Sequence, residues 1–343
     1  MDFLIIKEKP LKSGIVSIEP DYDVSRSEDI MIKGGDFYAV WVPDKGMWST
    51  DRYEARRLID EALWTYRDNR KNTGDVVVVK TLSDFTNNCW TVFQKYVKSI
   101  PDNFVLLDDK LTFQNTTVKK TDYVSKRLPY SLEKGPHDAY DELIDTLYSP
   151  EERAKIEWAI GSIVAGDSVD IQKFLVLYGK AGSGKSTVLN IVEKLFTGYI
   201  TAFDAKSLTS NNNAFSTEVF RDNPLVAIQH DGDLSNIEDN TKINSIVSHE
   251  RMPMNTKYEK TYTDKTRCFL FMATNKPVKI TDAKSGVIRR LIDVQPTGNL
   301  IPSKKYQALM AKISFERGAI AYHCREVYKS MGKNYYANYT PIE

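Results

Sequence analysis

FLVLYGKAGSGKSTVLNIV, residues 174–192, is the stretch on which the fold turns. An apolar run, FLVLY, enters a glycine-rich turn, and the amphipathic segment TVLNIVEKLF leaves it. Gly179, Lys180, Ala181, Gly182, Ser183, Gly184, Lys185, Ser186 and Thr187 satisfy the full G-x-x-x-x-G-K-[ST] spacing, with a strand in front and a helix behind. In such a loop the glycines let successive backbone N–H groups curl around phosphates, and the helix N-terminus adds its positive end. Lys185 then reaches the terminal phosphates and Ser186 ligates magnesium. The loop therefore predicts a nucleoside triphosphate site with Mg2+.

Two further apolar runs, PLVAI and CFLFMAT, follow FLVLY, separated by polar or helix-like segments. Nearly continuous apolar runs of this length read as buried central strands of an α/β sheet. Each ends in polar residues suited to phosphate chemistry. PLVAIQHDGDLS ends in Asp231 and Asp233, where a magnesium-side carboxylate belongs, and CFLFMATNKP ends in Asn275, whose amide suits the attacking water. GVIRRLIDV then supplies Arg289 and Arg290 ahead of another apolar run; a guanidinium there suits an arginine finger acting on a neighbouring subunit. Singly these are ordinary turns and surface arginines. In this order, after a complete glycine loop, they point to one machine.

In these motifs the chain resembles a superfamily 3 helicase, one of the compact hexameric ATPases of the AAA+ class carried by small DNA viruses, phages and plasmids. The likeness runs from Phe174 to about Pro296: GKAGSGKST resembles Walker A, LVAIQHD Walker B, CFLFMATN the motif with a sensor asparagine, and IRRLIDV the arginine-finger segment. The phage and poxvirus-type primase-helicase branch is the most similar in pattern. The resemblance implies an AAA+-like P-loop core, residues 171–300, preceded by a helical collar at 137–170 and a small α+β domain at 1–136, with a helical segment at 301–343. It implies a homo-hexamer that hydrolyses ATP between subunits and translocates on single-stranded and forked DNA. A primase, a polymerase or other replication proteins would be its partners. Between Walker B and the sensor strand the family carries a DNA-contacting hairpin; SHERMPMNTKYEKTYTDKTR occupies that place, making Lys257, Tyr258 and Lys260 the candidate DNA contacts.

One departure stands out. The family's Walker B usually ends in two adjacent acids, whereas the register here offers His230 and Asp231, with Asp233 two residues on. An imidazole cannot replace a carboxylate beside magnesium. Either Asp231 serves alone with help from Asp233, or hydrolysis is slow or needs a partner. Two other readings stay open: a nucleotide-dependent initiator or loader, and an assembly module in which ATP only holds a ring together.

The remaining sequence sets bounds. The 343 residues carry 47 basic and 46 acidic side chains, a net charge of +1, so any polyanion site is a local patch. Cys89, Cys268 and Cys324 are far apart and lack C-x-x-C spacing, which fits a reducing, cytoplasmic setting, a host cytoplasm for a phage or viral protein. His323 beside Cys324 reads as helix packing. No run approaches the ~20 apolar residues of a membrane helix. DFYAVWVPDKGMWS reads as a hairpin, RYEARRLIDEALWTY as a helix burying Ala55, Leu58, Ile59, Ala62 and Leu63, and FVLLDDKLTFQ as a second hairpin turning near Asp108 and Asp109. Asp21 and Asp23 in DYD read as solvated loop acids. SPEERAKIEWAIGSIVAG opens with a capping box of Ser149 and Glu152 around Pro150. The end, NYYANYTPIE, carries no stop signal and leaves room for a longer parent chain.

Overall fold

A computed structural model describes residues 1–12, 14–71, 76–210, 216–234, 239–254, 262–276 and 286–341. The chain forms two compact units, one of Met1–Asp109 with Thr117–Lys126, the other of Lys110–Thr116 with Arg127–Glu343.

The first unit contains β1 (Leu4–Pro10), β2 (Ile15–Tyr22), β3 (Ile30–Lys33), β4 (Asp36–Val42), β5 (Met47–Ser49), α1 (Arg52–Lys71), β6 (Val76–Val79) and α2 (Cys89–Ser99). β1 and β6 flank β2, antiparallel and parallel respectively, while β3, β4 and β5 form an antiparallel meander. The expected hairpin on DFYAVWVPDKGMWS is β4–β5, and its turn ends at Gly46 in the left-handed region (φ 58°). α1 buries Ala55, Leu58, Ile59 and Leu63, with Ala62 half-buried, against Ile18, Tyr22, Val40 and Phe93. FVLLDDKLTFQ forms no strand. Its alternation suits a hairpin, but Asp108 adopts φ 58° and its carboxylate accepts the N–H groups of Ser125 (2.7 Å) and Lys126 (3.0 Å). That capture turns the chain towards residues 123–126 instead of back on itself. The DYD acids are engaged locally: Asp21 pairs with Lys7 and Asp23 accepts from Ser25.

The second unit contains α3 (Asp138–Leu147), α4 (Pro150–Ala165), β7 (Phe174–Tyr178), α5 (Lys185–Leu195), β8 (Ile200–Ala202), α6 (Ala205–Leu208), β9 (Val226–Gln229), α7 (Thr241–Val247), β10 (Arg251–Met254), β11 (Tyr262–Lys265), β12 (Phe269–Thr274), β13 (Leu291–Val294) and α8 (Ser303–Met331). Five strands make an all-parallel sheet in the order β13-β7-β12-β9-β8. Side-chain alternation sends Leu175, Leu177, Ile228 and Phe271 into one core with Leu143, Ile160, Val188 and Ile320 of the helices. Phe174, Val176, Ala227 and Met272 go to the opposite core with Leu208, Ile243 and Ile246. Both faces are covered, which is why the strands read as unbroken apolar runs.

Half of the capping box on α4 forms. Ser149 Oγ accepts the Glu152 N–H at 3.3 Å, but the Glu152 carboxylate turns away to Lys155 Nζ and the Gln295 N–H, each at 2.9 Å. α4 packs closely on α8 at Gly161, where a Cβ would lie 2.0 Å from the Cys324 carbonyl oxygen.

Candidate nucleotide site

Because β7, β12 and β9 are parallel neighbours, their carboxyl ends open on one edge of the sheet, where ligands of such sheets bind. β7 delivers the glycine loop, and α5 starts at Lys185 with Gly184 as its N-cap. Gly182 (φ 76°) and Gly184 (φ 101°) hold backbone conformations that favour glycine. A Cβ on Gly184 would also come within 3.0 Å of the Leu147 methyl groups. Ser183 Oγ is buried with no hydrogen-bond partner among the described residues. Lys180, Ala181 and Ser186 are exposed, and Thr187 is buried.

Lys185 is folded into this edge. Its Nζ donates to the carbonyls of Gly179 and Lys180 and to Asn275 Oδ1, each at 2.7 Å. Asn275 follows β12 directly, so the lysine of one strand's loop and the asparagine at the end of the next are joined. Burial pushes the Lys185 ammonium below its usual range, with the negative charge of Asp231 opposing the shift.

Past β9 the chain is pressed against the end of β12. Gly232 N–H donates to the Ala273 carbonyl at 2.7 Å, and a Cβ on Gly232 would meet Met272 Sδ at 2.2 Å. This close approach seats Asp231 and Asp233 on either side. Asp233 accepts from Lys276 Nζ at 2.5 Å, and that contact, before the charge of Asp231, raises the Lys276 pKa. The charge of Asp231 therefore acts on both Lys185 and Lys276. His230 faces α5, with Nε2 2.8 Å from Glu193 Oε1.

A cleft of about 290 Å³ lies beside the loop, walled by Leu147, Leu300, Ile301 and Tyr306. Sequence reasoning passed over these four. They converge because Thr297 N–H donates to the Leu147 carbonyl at 2.8 Å and Asn299 Nδ2 to the Thr146 carbonyl at 3.2 Å, folding TGNLIP onto the end of α3. The available signal was an apolar pair, Leu300-Ile301, between Gly298 and Pro302 just ahead of a helix.

Arg289 and Arg290 lie at the other edge. Leu291, next in sequence, pairs with Phe174, the first residue of β7, so roughly 16 Å of strand separates them from the glycine loop. Arg290 is buried; Nε and Nη2 donate to Ser248 Oγ at 2.8 and 2.6 Å, and Nη1 to the Gly286 carbonyl at 2.8 Å. Arg289 is exposed, and its carbonyl accepts from Lys173 Nζ. Burial first, and the charge of Arg290 second, push Lys173 down to about 8. β10 and β11 pair antiparallel, and Lys257, Tyr258 and Lys260, between them in sequence, lie outside the described residues. His323 Nε2 sits 3.0 Å from Glu157 Oε1, and Cys324 is buried in the α4–α8 contact.

The class defined so far is a mixed α/β protein with a glycine loop at the carboxyl edge of a five-stranded parallel sheet. A family of unknown function (DUF5906) matches residues 177–290. Among solved structures, the apo C-terminal region of NrS-1 (305–718) is similar at 16% identity with a TM-score of 0.45, over 60% of this chain and 53% of that one. An A-form apo structure of the same region gives 15% and 0.44, over 59% and 50%. The chain thus spans about half the length of these structures. No curated protein matches it.

Proposed function

We propose that this chain is an ATP-dependent DNA helicase motor of the superfamily 3 type, cleaving ATP between subunits of a homo-hexameric ring and moving on single-stranded DNA. The observation that carries the reading is the meeting of Lys185 with Asn275 at 2.7 Å, on an edge that also presents Asp231. These groups come from three separate segments, in the order the helicase motifs require.

The residues fit a triphosphate. Gly182 and Gly184 give the loop its curvature, and Ser183 Oγ is a buried polar atom awaiting a partner. Lys185 is held by neutral oxygens that phosphate oxygens outbid electrostatically. When bound, magnesium would neutralise phosphate charge. Ser186 and Asp231 would hold it. In this reading Lys185 leaves the Gly179 and Lys180 carbonyls for the terminal phosphates. Its departure frees Asn275 Oδ1 to orient the attacking water. Leu147, Leu300, Ile301 and Tyr306 take the base. Arg289, exposed at the opposite edge, reaches the triphosphate of the adjacent subunit, and Arg290 anchors the turn that carries it. Lys257, Tyr258 and Lys260 would track the DNA strand.

A second reading, ATP as a ring-holding ligand without rapid turnover, draws on the carboxylates. Asp233 is paired with Lys276 and His230 with Glu193, so Asp231 is the acid at that strand end with no ion pair among the described residues. ATPase assays with and without single-stranded DNA separate the two. DNA-stimulated turnover abolished by Lys185→Ala is expected; binding without turnover favours the second reading, and unimpaired turnover in the variant removes the motor.

A further inference from the structure

We propose that Tyr53, Arg56, Phe85 and Trp90, on the first unit, form a binding platform for single-stranded nucleic acid, separate from the nucleotide edge and the hairpin. Arg56 on α1 lies with its guanidinium carbon 4.8 Å from the Tyr53 ring centroid, 5.9 Å from that of Phe85 and 5.8 Å from that of Trp90. Phe85 is 83% exposed and Tyr53 69%. Single exposed rings need no explanation, but two exposed rings and a third, half-buried one gathered around one cation form a patch.

Arg56 differs from the other arginines of its helix. Arg52 pairs with Asp36, Arg57 with Glu54 and Glu61, Arg67 with Asp68, and Arg70 with Glu8. Among the described residues Arg56 has rings for company and no carboxylate, so no ion pair neutralises its charge.

The loop that presents Phe85 is built to hold its shape. The buried Asp60 carboxylate accepts the N–H groups of Leu82 (2.6 Å) and Ser83 (3.1 Å). Asp84 accepts from Thr86 N–H at 2.9 Å and its hydroxyl at 2.7 Å, while Asn87 donates to the Thr81 carbonyl and accepts the Cys89 N–H. Asp51 likewise accepts the Tyr53 N–H at 2.8 Å. Asp51, Asp60 and Asp84 thus accept backbone N–H groups, and the loop that carries the exposed Phe85 ring is pinned at its backbone.

Ring faces beside an unneutralised guanidinium match a ligand that repeats a flat base and a phosphate. A protein partner would have to bury Arg56 and bring its own carboxylate; a nucleotide strand brings both complements in each unit. With a net charge of +1 the chain has no general attraction for polyanions, so binding must be local.

The test is fluorescence anisotropy of a labelled oligo-dT with the full chain, without ATP and across a salt series. Phe85→Ala and Arg56→Ala should each weaken binding about fivefold or more, the scale of one lost stacking contact. Arg56→Ala should also flatten the log–log salt dependence by about 0.7, one phosphate contact on a single strand. Phe85→Trp should restore or tighten binding, which a merely structural side chain would not do. Wild-type affinity and salt slope in both Ala variants overturn the platform, including the case in which they instead lose a protein partner. Failure of the platform with DNA-stimulated ATPase intact leaves the motor standing, and weakened oligo-dT binding in a chain that hydrolyses nothing leaves the platform standing.

Discussion

Replacing Arg289 and Arg290 one at a time should give opposite phenotypes, although the two are adjacent in sequence. Arg290 is buried and makes three charge-assisted hydrogen bonds, two to Ser248 Oγ and one to the Gly286 carbonyl. Such bonds contribute about 1.5–3 kcal/mol each, but they share one side chain and offset the cost of burying it, so they do not add. A loss of about 3 kcal/mol is expected for Arg290→Ala. At roughly 2–4 °C per kcal/mol for a domain of this size, the thermal midpoint should fall by ~6–12 °C. Arg289 is exposed, and Arg289→Ala should stay within about 0.5 kcal/mol of the parent. Its effect should appear in turnover: alone it should abolish ATPase, and mixing it with Lys185→Ala subunits should restore some. Calorimetry and subunit-mixing assays read the two separately. An unchanged midpoint in Arg290→Ala would refute the anchoring argument, and mixtures that never recover activity would refute the role of Arg289 in trans.

Three other predictions follow from the same geometry. Gly161→Ala puts a Cβ 2.0 Å from the Cys324 backbone oxygen and 2.6 Å from Tyr328 Cβ, so α4 and α8 must part; a loss of about 3 kcal/mol or more, read by denaturant titration, is expected. Lys173, at about 8 in the folded chain against its ordinary 10.5, binds fewer protons folded than unfolded between those values. Its contribution to stability should therefore rise with pH through that window. The difference in stability between the parent and Lys173→Met should change between pH 8 and 10.5, and a pH-independent difference would contradict the assignment. Lys276→Met releases Asp233 from its ion pair. The magnesium concentration for half-maximal ATPase should then fall; an unchanged requirement means Asp233 takes no part in holding the metal.

Much of the second unit's sheet could be read directly because helices cover both of its faces, so β7, β9 and β12 appear as apolar runs bounded by polar turns. β8 escaped notice: it is three residues long, sits at the sheet edge and is only partly buried. Strand order was not legible, since it depends on packing between segments far apart in the chain. The same holds for the arginines. Nothing local distinguishes Arg289 from Arg290; the decision is made by Ser248, 42 residues earlier. The glycine loop and Asn275 were legible as candidates because they stand in contiguous motifs. The cleft wall of Leu147, Leu300, Ile301 and Tyr306 was not, because it exists only once the chain after β13 folds back on the end of α3. FVLLDDKLTFQ shows the converse, a regular alternation overruled by one carboxylate.

α8 is a single rod of 29 residues, about 43 Å from end to end. It starts at the cleft, where Ser303 and Tyr306 stand beside the glycine loop. The segment after it reaches the far edge, where Lys333 meets Asp170 and the Tyr339 carbonyl accepts from Lys173, the same lysine that holds the Arg289 carbonyl. A tilt imposed at the lever's first turn would be felt at the opposite rim without any intermediate refolding, so the cleft and the Arg289 edge are joined through one strut.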